Sequence, residues 1–114
     1  MNQYQRKKAV QFDFYFPKTI WKNRHVQRFC KLLTRHGGAT VFNDETGVWH
    51  GRKEVIQLFR VIIPSEAGKL RKFRKLLQTE LEGLVRGLQH SKSHEQETII
   101  FTETSIVQVS RQAQ

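Results

Sequence analysis

The sequence contains one cysteine, two prolines and ten acidic residues among its 114 positions, and each scarcity limits what the protein can be. Because Cys30 is alone, no disulfide can form within one chain, and nothing indicates an oxidising compartment. No apolar run approaches the ~20 residues that a membrane-spanning helix needs, and the start MNQYQRKKAVQ lacks the apolar stretch of a signal peptide. We therefore expect a cytoplasmic protein that does not enter a membrane.

The sequence also lacks the spacing of a metal site or a phosphate-binding loop. The five histidines and Cys30 do not follow a zinc pattern, and His90, His94 and Glu95 come together only in a polar stretch. The glycines at 37 and 38 follow a predicted helix, whereas a phosphate-binding glycine loop opens one. We expect neither a metal nor a cofactor.

No catalytic pattern is recognisable. Cys30 falls on the apolar face of a predicted helix, so we expect it in the core rather than as a nucleophile. A carboxylate-based nuclease built from Asp13, Asp44 and Glu103 stays open as an alternative. The sequence favours a protein without catalytic activity but does not decide the point.

The first forty residues predict a strand followed by a helix. From about residue 9 to residue 16, apolar and polar residues alternate as in a strand with one buried face, and Pro17 ends the pattern. Thr19 or Asn23 can cap a helix that runs to His36, where two glycines stop it.

The middle of the chain predicts a hairpin. The stretch ATVFNDETGVW is typical of a second strand with an irregularity at residues 44–47, HGRKE forms the tip, and VIQLFRVIIP is a third strand that Pro64 ends. A turn within NDETG itself is the other possibility, and we prefer the first.

The last third predicts a long helix and a final strand. Ser65 is a suitable N-cap for a helix that reaches about Leu88 and carries one apolar face. QHSKSHEQE then reads as a loop and TIIFTETSIVQVS as a strand. The apolar face of the helix consists of Leu70, Phe73, Leu77, Leu81, Leu84 and Leu88.

The predicted order is strand, helix, strand, strand, helix, strand. This is the split βαβ arrangement of the α+β ferredoxin-like fold, in which two helices pack on one face of a four-stranded antiparallel sheet. We expect residues 1–8 to be a flexible basic tail, residues 9–110 to form a single domain, and residues 111–114 to be a second tail.

Positive charge is the feature that the sequence has in excess. Twenty lysines and arginines give a net charge of +10. At 100° per residue, each predicted helix carries a basic stripe opposite its apolar face, and the fold turns both stripes outward on one side. Such a surface favours a polyanion, above all nucleic acid held by its phosphates, although a solvated helix face has the same composition. The residues of the basic stripes are Arg24, Arg28, Lys31, Arg35, Arg71, Lys72 and Lys75.

The face of the sheet away from the helices, which we call the open sheet face, is a second candidate surface. If the phenylalanines of the first strand face the helices, Asp13 and Tyr15 face the other way, and alternation places Arg60 and Glu103 beside them. The three charged residues then form either a surface salt network or a polar site.

The third strand is apolar on both faces, which is typical of a strand covered on both sides. We therefore expect a second copy of the chain to cover the open sheet face, most simply as a homodimer. A competing hypothesis is that Tyr15 and Phe42 stack bases there, as in an RNA-recognition motif. The aromatic signature of that motif's third strand is absent from VIQLFRVIIP.

The stretch GGATVFNDETGVWHGRKE has a pattern of its own, Gly-Gly-x-Thr followed by Gly-x-Trp before the hairpin. In this it resembles small, uncharacterised bacterial ferredoxin-like proteins, some of them likened to PII-type signalling proteins. The resemblance implies an oligomer with a ligand or partner near the hairpin of residues 43–54. Trp49 and His50 are candidates there, although a packing tryptophan and an exposed histidine are their more ordinary roles.

The sequence is best interpreted as a non-catalytic basic binding module that contacts DNA or RNA phosphates through the outer faces of its two helices. The alternative is a PII-like regulatory homo-oligomer that binds a small ligand or a protein near the hairpin.

Overall fold

The computed structural model describes residues 3–90 and 98–111, which form a single antiparallel sheet with helices on one face. The strands lie in the order β2-β3-β1-β4, so the predicted ferredoxin-like fold is confirmed. The predicted loop of residues 89–97 begins one residue late, because the long helix before it extends to Gln89, and its residues 91–97 lie outside the described residues. In chain order the elements are β1 (Tyr4–Pro17), α1 (Lys18–Trp21), α2 (Arg24–Leu33), β2 (Gly38–Trp49), β3 (Arg52–Pro64), α3 (Lys69–Gln89) and β4 (Ile100–Arg111).

β1 begins at Tyr4, earlier than the sequence predicts. Residues 4–8, expected to belong to a flexible tail, pair with residues 107–111 of β4 and form a two-stranded ribbon. Their side chains are all exposed, so they lack the alternation by which a half-buried strand is recognised. Backbone pairing, rather than apolar burial, makes them a strand.

The first predicted helix is divided in two. Asn23 caps α2, and its Oδ1 accepts a hydrogen bond of 2.8 Å from the backbone N–H of His25. α2 ends at Leu33 rather than His36, because the backbone N–H of Arg35 bonds to the carbonyl of Leu32 and so tightens the last turn.

The β2–β3 hairpin turns at His50 and Gly51, as preferred from the sequence. Both residues have positive φ, 50° and 76°, the backbone conformation that suits a two-residue hairpin turn. The predicted irregularity is also present, as a shift of register between Phe42 and Glu45. The alternative turn within NDETG is wrong, because that segment continues β2.

Ser65 does not cap α3. The helix begins at Lys69 after Gly68, whose φ of 82° suits glycine, and the backbone N–H of Ser65 donates instead to the carbonyl of Lys8. Within the described residues, no helix is long and apolar enough to span a membrane.

The core lies between the sheet and the two long helices. Phe12 stacks on Phe73 of α3 with ring centroids 4.9 Å apart, and Phe14 meets Phe29 of α2 edge to face at 5.3 Å. Cys30 belongs to the same cluster, and burial raises the pKa of its thiol to about 12. The predicted apolar faces of β1, α2 and α3 therefore form the core.

Candidate functional site

On the open sheet face the side chains of β3 are mostly apolar, whereas those of β1, β2 and β4 beside them are partly polar. Along β3, Ile56, Leu58 and Ile62 are half-buried, and they alternate with residues that face the core. Tyr15 of β1 and Phe42 of β2 lie directly opposite Leu58 on the two neighbouring strands. Because the helices pack on the other side of the sheet, no helix or strand of the described residues covers this row of side chains.

A charged pair lies within this apolar row. Asp13 and Arg60 face each other across β1 and β3, and the guanidinium donates from Nε to Oδ1 at 2.8 Å and from Nη2 to Oδ2 at 3.0 Å. Hydrogen bonding to Asp13 raises the pKa of Arg60. The guanidinium carbon also lies 4.9 Å from the ring centroid of Phe42. Asp13 is only 6% exposed, and the positive charge of Arg60 balances its negative charge, so the buried pair carries no net charge.

Glu103 does not join this pair, which corrects the sequence prediction. It lies opposite Phe12 in the β1–β4 ladder and therefore on the helix side of the sheet. There its Oε2 accepts a hydrogen bond of 3.1 Å from Nη2 of Arg74. Since Asp13 and Glu103 lie on opposite faces, the three carboxylates of the alternative nuclease site do not converge.

The base of the hairpin is held by a buried glutamine. Gln57, 3% exposed, accepts a hydrogen bond from the backbone N–H of Asp44 at 3.0 Å and donates to its Oδ1 at 3.1 Å. Lys18 Nζ lies 2.8 Å from the same oxygen, and its hydrogen bond is the main cause that lowers the pKa of Asp44. These contacts fix the bulge and hence the direction in which the hairpin leaves the sheet.

The position of Gln57 in the sequence predicts a buried, hydrogen-bonded side chain, which the sequence analysis did not recognise. Phe59, Val61 and Ile63 occupy the core-facing positions of β3, and Gln57 continues that series as its polar member. A polar residue at a core position needs a hydrogen-bonding partner, and Asp44 supplies it.

The hairpin candidates lie apart from the sheet-face candidates. Trp49 is the last residue of β2 and pairs with Arg52, and His50 is exposed in the turn. Tyr15 and Phe42 lie instead on the part of the sheet where all four strands run side by side. The predicted residues thus fall into two groups, a sheet-face group and a hairpin-tip group.

The basic stripes are located as predicted, on the outer side of the helix layer. All seven side chains are exposed. Within residues 3–90 and 98–111, none of them forms an ion pair. In the same part of the chain, no three His, Cys, Asp or Glu side chains come together as a metal site would require.

Fold and surfaces together define an α+β ferredoxin-like protein with apolar β3 side chains on its open sheet face and a basic helix layer. No protein-family model matches the sequence, and no curated protein matches it. Among solved structures the chain is similar to CPII from Thiomonas intermedia K12, solved with bound ADP and bicarbonate, with a TM-score of 0.52, 13% identity and 90% of each chain covered. At this identity the PII-like resemblance holds at the level of the fold.

A de novo designed protein, Foldit4, also matches. Its TM-score is 0.37 at 13% identity, with 96% of this chain and 100% of that chain covered.

Proposed function

We propose that the protein is a PII-like regulatory homo-oligomer, whose subunits associate through the open sheet face and which binds a small ligand or a protein near the hairpin of residues 43–54. The single observation that carries the proposal is the row of Ile56, Leu58 and Ile62 on β3, interrupted by Arg60, which no helix of the described residues covers. Apolar surface that the helices leave uncovered in this way is typical of interaction sites.

Charge also favours association through this face. The Asp13–Arg60 pair keeps its hydrogen bonds when it is covered, so covering it does not leave an unpaired buried charge. The basic stripes lie on the opposite side of the sheet. Two copies that meet through their sheets therefore keep the most repulsive surfaces of the protein apart.

The hairpin is the part of the chain suited to hold the ligand. Its base is fixed by Gln57, whereas its tip carries exposed cationic side chains, Arg52 and Lys53, beside His50. Exposed cations in a turn are suited to an anionic ligand. Because CPII was solved with ADP, ADP is the first probe to use.

The mass in solution tests the association. We expect light scattering coupled to size-exclusion chromatography to give a multiple of the 13.5 kDa chain mass. Leu58→Lys should reduce the mass to that of one chain, because Asp13 on this face is already bonded to Arg60 and a buried lysine would be left unpaired. Gln78→Lys, an equal charge change on the exposed side of α3, should leave the mass unchanged.

Ligand binding is tested by tryptophan fluorescence in a further variant. With Trp21→Phe, Trp49 is the one tryptophan left, and we expect saturable fluorescence changes on titration with ADP.

A folded Leu58→Lys variant that keeps the wild-type mass, or a wild type that runs as a single chain, would refute association through the open sheet face. A flat titration would refute nucleotide binding at the hairpin.

A second candidate function, nucleic-acid binding, rests on the seven exposed cations of the basic stripes, which form no ion pair with any residue that the structure describes. If it holds, fluorescence anisotropy with labelled DNA and RNA should give a log-log salt slope of roughly −3 to −6, as ~4 to 7 phosphate contacts would produce. The double reversal Arg28→Glu and Lys31→Glu should abolish binding while the oligomer stays intact. Affinity that is insensitive to salt or to the reversal would make the stripes a solvated face.

A further inference from the structure

A cleft of about 440 Å³ opens between the beginning of α2 and the end of α3. Arg24, His25 and Arg28 line it from α2, and Arg86 lines it from α3. The sequence interpretation did not identify this cleft, because its two walls are far apart along the chain. Its volume lies within the usual range of small-molecule sites.

Two glycines of α3 leave space for the cleft. Gly83 and Gly87 are one helical turn apart, and each costs about 1 kcal/mol relative to alanine inside a helix. The imidazole of His25 explains Gly87, because a Cβ there would lie 2.7 Å from its Nδ1. A Cβ at Gly83 would meet nothing within 4 Å, so close packing does not explain that glycine. Its missing side chain instead keeps the cleft open.

Among the residues that the structure describes, the charged side chains that line the cleft are all of one sign. Arg24, Arg28 and Arg86 are exposed, and no described acidic side chain lines the cleft beside them. In the described part of the chain, none of the three forms an ion pair. Arg24 and Arg28 are also spaced i, i+4, where like charges repel. An anion between the helices would convert this repulsion into attraction.

Arginine is also the side chain whose shape fits a phosphate best. Its planar guanidinium donates two parallel hydrogen bonds to one phosphate group, which the point charge of lysine does not. The three lysine or arginine side chains that line the described cleft are all arginines, whereas three of the seven residues of the basic stripes are lysines.

We propose that the cleft binds the phosphate group of a small phosphorylated ligand, with Arg24, Arg28 and Arg86 as its donors. A concave site favours a compact ligand over a nucleic-acid strand, which would run across the convex helix surface. The cleft is formed by two helices of one chain and lies on the helix layer. It is therefore separate from both the sheet-face association and the hairpin site proposed above.

Calorimetric titration with inorganic pyrophosphate and with AMP tests the proposal. Arg86→Gln should weaken binding by about tenfold or more, as expected for the loss of charged hydrogen bonds to phosphate. Gly83→Leu should abolish binding without removing any charge, because the leucine fills the cleft. Since leucine is the better helix former, this variant should also keep its helical circular dichroism.

Lys72→Gln is the matched control, since it removes one cation of the basic stripes outside the cleft and should leave the affinity unchanged. Preference for AMP or for pyrophosphate tells whether the natural ligand carries an organic group. The proposal is overturned if neither probe binds at millimolar concentration, or if Gly83→Leu binds like the wild type. Equal weakening by Lys72→Gln and Arg86→Gln would also overturn it, in favour of a diffuse surface of the kind that nucleic acid uses.

Discussion

Replacing Phe14 by alanine should lower the free energy of unfolding by about 3–5 kcal/mol, the range measured for phenylalanines truncated in well-packed cores. Phe14 is fully buried. Its ring lies 5.3 Å from that of Phe29 and 5.4 Å from that of Phe101, so it joins α2 to β4 across β1. The substitution leaves a cavity among aromatic rings from separate elements, which cannot all move inward to fill it.

Urea denaturation followed by circular dichroism measures this loss, with wild type and variant at one protein concentration because self-association adds to apparent stability. Val48→Ala is the matched control. It removes apolar atoms from the hairpin, where the side chain is 67% exposed, and should cost less than about 0.5 kcal/mol. Losses of similar size at the two positions would mean that the core described above is not the stabilising one.

Gly37→Ala should destabilise the protein by about 3 kcal/mol, the upper part of the range for overpacking. An added Cβ would overlap the backbone carbonyl oxygen of Ile62 and lie 3.0 Å from Cδ1 of Ile63. The Ile62 oxygen belongs to β3 in the middle of the sheet and cannot yield as a flexible side chain can. The chain between α2 and β2 must therefore move away from the sheet.

The neighbouring glycine supplies the control. A Cβ at Gly38 would meet nothing within 4 Å, and neither glycine has a positive φ, so both substitutions restrict the unfolded chain alike. Gly38→Ala should change the unfolding free energy by less than about 0.5 kcal/mol. Thermal melts of the two variants compare them directly. Equal midpoints would show that the approach of Gly37 to Ile62 does not constrain the fold.

The sequence predicts best where burial imposes a period. The alternation in β1 and the apolar face of α3 follow directly from contact with one core, and the order of the elements then indicates the fold. The sequence is a poor guide to strand boundaries where only backbone hydrogen bonding between strands determines them. Residues 4–8 have exposed side chains and no apolar pattern, so nothing in them indicates that they extend β1.

Glu103, on the edge strand β4, is a second residue whose position the sequence does not predict. β4 has apolar residues on both faces, Phe101 and Val107 on one and Ile106 on the other, so its pattern does not reveal which face is buried. The register with β1 decides, and it places Glu103 on the helix side, opposite Phe12. The cleft between α2 and α3 is harder still to predict from the sequence, because its walls meet only through the packing of one helix on the other.

Two pairs of strands extend beyond the core, and these extensions are less stable than the rest of the sheet. β1 and β4 continue as a pair at residues 4–8 and 107–111, and β2 and β3 continue as a pair at residues 46–55, which contributes to a length of 58 Å. Backbone hydrogen bonds in these extensions have no buried apolar layer to protect them, so they open at lower free energy than the core. The hairpin beyond Asp44 can therefore change shape at a lower cost than the part of the sheet in which Gln57 is buried.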